Sequence, residues 1–500
     1  MTAPPLTPKT QTRHKQTERI DPRQDEAVRA MLEARSIALV GASARPGSLG
    51  ERMIHEAGRS SSRPRTYLVN PRYTEIGGAP CLPRLADLPE PVDLAVLAVP
   101  DTALEEQLTA AASANARSAV IFGSAFDPPG SSGLRDRLAA TSKAAGMALC
   151  GAGCMGFVNV ARGLFAVGYL LPDPVRAGPV ALITHSGSVF TAMLNARRGF
   201  GFTLVASPGQ ELVTSAPAYA RYALSLPETR VLALVLEAIR DGTELQAVLG
   251  DALSADVPVV LLSAGGSAAG KALVAAHSGA LAAADGAWEA LAGAYGVHRV
   301  RDLAELADTL ELFSSGRRCA PGGGIATVHD SGLERAHLAD LAAQLRVPFA
   351  PIAPQTTGRL AAALDPGLDP VNPLDLWGTG RDIEPLVEEC LSALADDPAV
   401  TAVALAVDLA TEWDGDEAYP RAVITTAAGT AKPVAVLTGL PATVDPVAAA
   451  TLRAAGVPVL EGTRSGLLAL RHLLDHADRP ASPQPDPGPQ DAARRERWTQ

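Results

Sequence analysis

SIALVGASARPGSLG, residues 36–50, is the stretch whose reading decides the fold. Ser36–Val40 is short, apolar and uncharged, which is how a buried strand reads. It runs into a loop with glycine at 41, 47 and 50, and then into a helical pattern. A strand, a Gly-rich turn and a helix in that order open a doubly wound α/β unit. The glycines let backbone approach a phosphate, and the start of the helix supplies free N–H groups. The spacing is not GxGxxG, and a tight turn without a ligand is the plainer alternative for this stretch alone.

The same alternation repeats outward from there. A first set of short apolar runs lies at Ser36–Val40, Thr66–Val69, Leu94–Val99, Ser118–Phe122 and Ala148–Cys150. A second lies at Pro179–Thr184, Phe202–Ala206, Arg230–Leu236, Val257–Ser263 and His298–Val300. A third lies at Gly324–Val328, Val403–Val407, Val434–Leu437 and Val457–Leu460. Alanine-rich helical stretches separate them, so the chain reads as α/β with parallel sheets. Gly, Pro and Arg cluster near Pro172–Pro179 and Ser314–Gly323 and mark boundaries. The expected organisation is a disordered tail over 1–27, three doubly wound units over 28–174, 175–318 and 319–477, and a Pro-rich tail or linker over 478–500.

Composition excludes several classes of function. The net charge is −11 with both signs mixed along the chain, and only 4% of residues are aromatic. Neither the basic patch nor the stacking platform of a nucleic-acid binder is present. The five cysteines are scattered, with no metal-ligand spacing, and read as reduced thiols of a cytoplasmic protein. No apolar run is long enough to span a membrane, and the polar first twenty residues do not read as a secretory signal.

In the first unit the second strand ends in Asn70-Pro71-Arg72. A nicotinamide cofactor site usually has Asp or Glu there, to hold ribose hydroxyls. Arg72 and Arg45 suit phosphates instead, which fits coenzyme A and leaves NADP open. Val99-Pro100 and the run CGAGCMGFVN (150–159), with Gly151, Gly153 and Asn159, follow other strand ends. Ligands of open α/β sheets sit at such ends.

The second unit holds the expected chemistry. In ALITHSGSVFTAML (181–194), Ser186, Gly187 and Ser188 open a helix. The two hydroxyls and free N–H groups make a phosphate cradle, or simply an N-cap. Glu237 ends the apolar run RVLALVL, where it reads as a helix-start cap, a solvated edge residue or the acceptor of an imidazole N–H. His277 stands in AAHSGALAAADGAWEAL (275–291), followed by Ser278 and Gly279. The expectation is a histidine placed just before a helix N-terminus, where the dipole favours a phosphoryl group on the ring. His277 as nucleophile, Glu237 as partner and Ser186–Ser188 as anion site suit reversible phosphorylation.

These motifs together resemble the NDP-forming acyl-CoA synthetases, including ADP-forming acetyl-CoA synthetase and, more distantly, the α subunit of succinyl-CoA synthetase. The resemblance covers about residues 30–475 and rests on the order and spacing of GAS–PGS–G near 41–50, VNPR (69–72), PVDLAVLAVP (91–100), CMGFVN (154–159), HSGSV (185–189), LEAIRDG (236–242), AGKALVAAHSGALA (269–282) and NPLDLWG (372–378). It implies an N-terminal Rossmann-like CoA-binding domain followed by two flavodoxin-like parallel-sheet domains. It further implies phosphorylation of His277, steadied by Glu237, with Ser186, Gly187, Ser188, Ser278 and Gly279 around the phosphoryl group. Coenzyme A would lie against Gly41, Ser43, Arg45, Gly47, Ser48, Asn70, Pro71, Arg72, Val99 and Pro100. The implied partners are a small carboxylic acid and an ATP-grasp β-type subunit in a hetero-oligomer. That subunit would hold ATP/ADP (or GTP/GDP) and Mg2+, because no ATP-grasp lysine loop is read in this chain. The sequence departs from the family at Ala152-Gly153, where relatives have Pro-Asn, at Gln210 in place of Asn, and at the single glycine of HDSGLERAHL (329–338). Two alternatives stay open: a non-catalytic CoA-binding or regulatory protein on the same scaffold, and an NADP oxidoreductase.

Overall fold

Three sheets carry the chain in the computed structural model, which describes residues 22–127, 132–278, 285–380, 382–411, 417–479 and 481–483. The first sheet is built from β1 (Ser36–Val40), β2 (Arg65–Val69), β3 (Glu75–Ile76), β4 (Ala79–Leu82), β5 (Leu94–Leu97), β6 (Ser118–Ile121) and β7 (Ala148–Cys150), in the order β3-β4-β2-β1-β5-β6-β7. All its pairs are parallel except β3 with β4. The second comprises β8 (Gly156–Asn159), β9 (Leu164–Val167), β10 (Ala177–Thr184), β11 (Phe202–Ser207), β12 (Val231–Leu236), β13 (Val259–Ser263) and β14 (His298–Val300), in the order β14-β13-β12-β10-β11-β8-β9. The third comprises β15 (Gly324–His329), β16 (Leu374–Asp375), β17 (Val400–Ala406), β18 (Val434–Thr438) and β19 (Val459–Glu461), in the order β16-β15-β17-β18-β19. Its pairs are all parallel.

The α/β class and the three sheets agree with the sequence, and four expectations need correction. The second sheet is mixed: β8 runs antiparallel to β11, and β9 antiparallel to β8. CMGFVN reads as a ligand loop in the sequence, yet its last four residues are β8, paired on both sides by β11 and β9. Asn159 is buried there and donates to Leu32 O at 2.8 Å and to the Tyr222 hydroxyl at 2.9 Å. The segment 28–174 is therefore not self-contained, because a hairpin from its end completes the next sheet. The expected tail 1–27 also overlaps a helix, Pro22–Leu32, which buries Ala27, Val28, Met31 and Leu32, while residues 1–21 lie outside the described residues. Those four positions share one helical face, and burying that face outweighs the polar composition on either side.

The first two sheets share one core. Ile37, Leu39 and Leu94 pack in the same cluster as Phe157, Leu204 and Tyr219. The second and third units also share a core, in which Phe190 and Val205 belong to the same cluster as Ile325 and Leu470, and charges tie them as well. Arg198 pairs with Asp308, and with Glu311 at 2.6 Å, while Arg453 lies 2.8 Å from Glu311 and 2.6 Å from Glu461. Arg198, Asp308 and Glu311 are all buried. These charges must be matched within the protein, because water cannot reach them.

Candidate functional site

β10 and β12 lie side by side, with Thr184 paired to Val235, so their carboxyl ends emerge together. Ser186 follows β10 and caps the helix Gly187–Leu194, its hydroxyl accepting from Val189 N at 3.3 Å. The Ser186 and Ser188 hydroxyls are 3.0 Å apart, and Thr184 Oγ1 accepts the Ser186 N–H at 3.0 Å. Small residues at 186–188 leave the helix start open. Its remaining N–H groups and the positive end of the dipole suit an anion.

His185 binds this turn to its neighbours. Its Nδ1 accepts the backbone N–H of Glu237 at 3.1 Å, so the ring proton sits on Nε2, which donates to the Glu211 carboxylate. The other Glu211 oxygen accepts Ala216 N at 2.8 Å, at the start of the helix Ala216–Leu224. The His185 and Glu211 side chains are 7% and 2% exposed, so the pair is shut off from solvent. Sequence reasoning misses both residues. The signal is there: a histidine next to the N-cap at a strand end, and an acid in the loop after the adjacent strand.

Glu237 stands where expected, half-buried at the end of β12. Its backbone N–H donates to an imidazole, that of His185. Asp241, further along the same turn, caps the helix Gly242–Ser254 by accepting Glu244 N at 2.8 Å.

The place of His277 needs correction. The sequence reading puts it just before a helix start, whereas it lies in the last turn of the helix Ala268–Ser278. The alanines favour continuing the helix, and the Ser267 hydroxyl caps its start by accepting Gly270 N at 3.0 Å. His277 therefore stands about 13 Å along the axis from Ala268, at a rise of about 1.5 Å per residue. The dipole at that end is negative, the reverse of the expected sign. The side chains of His277 and Ser278, and Gly279 as a whole, lie outside the described residues. The structure thus brings Ser186, Gly187, Ser188 and Glu237 to one edge and does not show His277 joining them.

The first sheet has its own edge. Gly41 adopts φ +87°, and a Cβ there would lie 2.3 Å from Ala98 O, so only glycine fits this turn. Ser43 Oγ accepts Arg45 N at 3.1 Å and lies 3.4 Å from the Tyr73 hydroxyl. Asn70 is a strut: it donates to Ala42 O at 2.7 Å and accepts Arg72 N at 3.0 Å. Ser48 caps the helix Leu49–Gly58 through Glu51 N at 3.2 Å, and the Glu51 carboxylate takes the Gly47 N–H at 2.6 Å. That places a negative charge at the helix start, so a phosphate there has to compete with Glu51. Arg45, Pro71, Arg72 and Pro100 are exposed and Val99 half-buried, on loops after β1, β2 and β5. No carboxylate closes the turn after β2, and two guanidinium groups stand open to a phosphorylated ligand.

The two edges meet at the segment 208–212. Gly151 N donates to Pro208 O at 3.1 Å, Gln210 N to Ala152 O at 2.9 Å and Leu212 N to Gly151 O at 3.2 Å. The five cysteines are all free and buried. Among the described residues no group of three or more His, Cys, Asp or Glu is placed to hold a metal ion, and no helix is long and apolar enough to cross a membrane.

The family model described as CoA binding domain matches residues 35–160, and the one described as succinyl-CoA ligase like flavodoxin domain matches residues 177–313. The chain is 26% identical over 464 residues to trans-feruloyl-CoA synthase FCS1 of an unknown prokaryotic organism, covering 91% of this chain and 66% of that protein. It is 26% identical over 354 residues to the acetate–CoA ligase [ADP-forming] II subunit alpha of Pyrococcus furiosus, covering 69% of this chain and 75% of that subunit. The fold is that of a Ca. Korarchaeum cryptofilum dinucleotide forming acetyl-coenzyme A synthetase 1 solved with phosphate and ADP, at a TM-score of 0.79 and 21% identity over 90% of this chain and 97% of that one. The chain spans between about half and two thirds of the length of the first curated relatives it matches, ADP-forming acetate–CoA ligases of archaea among them. It carries a CoA-binding domain followed by a succinyl-CoA ligase-like flavodoxin domain, and the resemblance to NDP-forming acyl-CoA synthetases holds.

Proposed function

We propose that this chain is the CoA-binding, phosphoryl-carrying part of an NDP-forming acyl-CoA synthetase, working with an ATP-grasp partner. The observation that carries the reading is the edge of the second sheet. There an open helix start with paired serine hydroxyls stands beside Glu237, in the domain that follows a CoA-binding domain. The complete reaction is acid + CoA + NTP giving acyl-CoA, NDP and phosphate.

Run in reverse, phosphate oxygen attacks the acyl-CoA carbonyl and the thiolate leaves as CoA, giving an acyl phosphate. The phosphoryl group then passes to an imidazole nitrogen of His277 and the carboxylate leaves. Ser186, Gly187 and Ser188 hold the phosphoryl oxygens through hydroxyl and N–H groups, where positioned donors stabilise transferring charge. Transfer requires the ring of His277 within roughly 3–3.5 Å of the phosphorus. Arg45 and Arg72 meet the phosphates of CoA, while Gly41 lets backbone approach. The final transfer to a nucleoside diphosphate, with Mg2+, belongs to the partner. That division agrees with a relative named as a subunit alpha, of which this chain covers 75%.

The test is incubation of the full chain with labelled phosphate and an acyl-CoA panel that includes acetyl-CoA and feruloyl-CoA. Acid-labile, base-stable label on the natural chain that is lost in His277→Ala supports the reading. CoA binding by calorimetry with no label from any acyl-CoA overturns it in favour of a CoA-binding regulatory protein.

A further inference from the structure

The segment 208–212 touches both ligand edges, and it does so without slack. On one side three main-chain bonds fasten it to Gly151 and Ala152, where β7 leaves the first sheet. Gly209 approaches so closely, at φ +62°, that a Cβ would lie 2.2 Å from Ala152 O. A shift of the Gly151–Ala152 turn therefore moves this segment with it, since close-packed contacts transmit displacement.

On the other side Glu211 uses both carboxylate oxygens, one on His185 Nε2 and one on Ala216 N at 2.8 Å. Its backbone sits at φ +51°, a left-handed conformation that a non-glycine residue holds only when its surroundings impose it. His185 continues the chain of contacts. Its Nδ1 takes the Glu237 N–H at 3.1 Å, its backbone N–H donates to Val235 O at 2.9 Å, and the next residue is the cap Ser186. Both ring nitrogens are engaged, so His185 has no nitrogen left for a phosphoryl group and acts through its neighbours.

We infer that Glu211 and His185 are positioning residues that couple the first-domain ligand edge to the anion site at Ser186–Ser188. This inference rests on the function proposed above. In that reaction the thioester carbonyl and the attacking phosphate must meet. The chain Ala152–Gln210–Glu211–His185–Ser186 keeps the two edges in register, so a ligand on one edge alters affinity on the other, and the effect is reciprocal.

The experiment is calorimetric titration of CoA into the full chain, with and without saturating inorganic phosphate, on the natural protein, Glu211→Ala, Glu211→Gln and His185→Ala. Phosphate is expected to change the CoA dissociation constant of the natural chain by about five-fold or more, the low end of measured couplings. The factor falls to near one in Glu211→Ala and His185→Ala. It persists in Glu211→Gln, whose amide oxygen can still accept from His185. Thermal melting separates this from simple loss of fold, because a purely structural role lowers the melting temperature and leaves the factor unchanged in the folded protein. A factor retained in Glu211→Ala overturns the inference, as does a natural chain that binds both ligands with no mutual effect. In both cases the proposed function stands, whereas a natural chain that does not bind CoA overturns both.

Discussion

Arg198 Nε lies 2.6 Å from Glu311 Oε2, and neither side chain is more than one-tenth exposed. Arg198 follows the helix that starts at the candidate anion site, and Glu311 sits on the helix Leu303–Ser314, which leads to the third unit. Burial alone would raise the Glu311 carboxyl, and the charges of Arg198 and Arg453 outweigh it and hold it below the usual carboxylate range. Removing one partner strands the others in a medium where they cannot be solvated. Glu311→Ala is expected to cost about 3–5 kcal/mol, read as a lower urea midpoint with the slope retained.

A histidine cluster between the second unit and the last helix predicts the response to acid. His298 Nε2 and His476 Nδ1 are 3.0 Å apart, with the His472 ring edge-on beside His298. Asp256, Arg318 and Arg479 face His476, and Glu305 faces His472. Burial, then Arg479 and Arg318, push His476 down to about 4, and burial with its histidine neighbours pushes His298 well down. The folded values lie below the ordinary 6.5, so the unfolded chain binds more protons between the two. The stability His476 contributes is complete above pH 6.5 and is lost as pH falls through about 4, and His298 acts in the same direction. His476 alone accounts for up to about 3 kcal/mol across that window. Melting temperature should drop from pH 7 to about pH 4.5, and His476→Gln should flatten that slope.

Arg72 is exposed on the loop after β2, and only its backbone is used in the turn, through Asn70. Arg72→Ala is expected to weaken CoA binding by about ten-fold, one charge-assisted hydrogen bond, with the melting temperature held. An affinity unchanged by calorimetry would remove Arg72 from the proposed CoA site.

Ser186 has two duties that one variant separates. Its Oγ caps the helix Gly187–Leu194 and stands 3.0 Å from the Ser188 hydroxyl. Ser186→Ala should cost about 1 kcal/mol of stability and reduce phosphate labelling of the chain, whereas Ser186→Asp keeps a capping oxygen and should abolish labelling by charge repulsion. Equal labelling in Ser186→Asp and the natural chain would place the phosphoryl group elsewhere.

Most of the architecture is legible because its signal is local. Ser36–Val40, Ala148–Cys150 and His298–Val300 are strands at the expected residues, since short apolar runs between turn residues have few other ways to bury themselves. The β8–β9 hairpin is not legible, because its four-residue strands gain their place by pairing with β11, far along the chain. The same holds at the site. Ser186 and Glu237 can be read from their positions at strand ends. The place of His277 cannot, because the extent of the alanine-rich helix around it depends on what that helix packs against.

What the sequence determined by itself is the α/β class, the order of the units and the strand-end loops that carry Gly41, Asn70, Ser186 and Glu237. These follow from hydrophobic period, glycine placement and the rule that loops at carboxyl strand ends bind ligands. What only the tertiary structure decided is which of those loops touch. His185 against Glu211, the segment 208–212 against Gly151–Ala152 and Arg198 against Glu311 are contacts between residues from about 25 to more than 100 positions apart. Such contacts depend on the relative placement of sheets, and no local pattern encodes it.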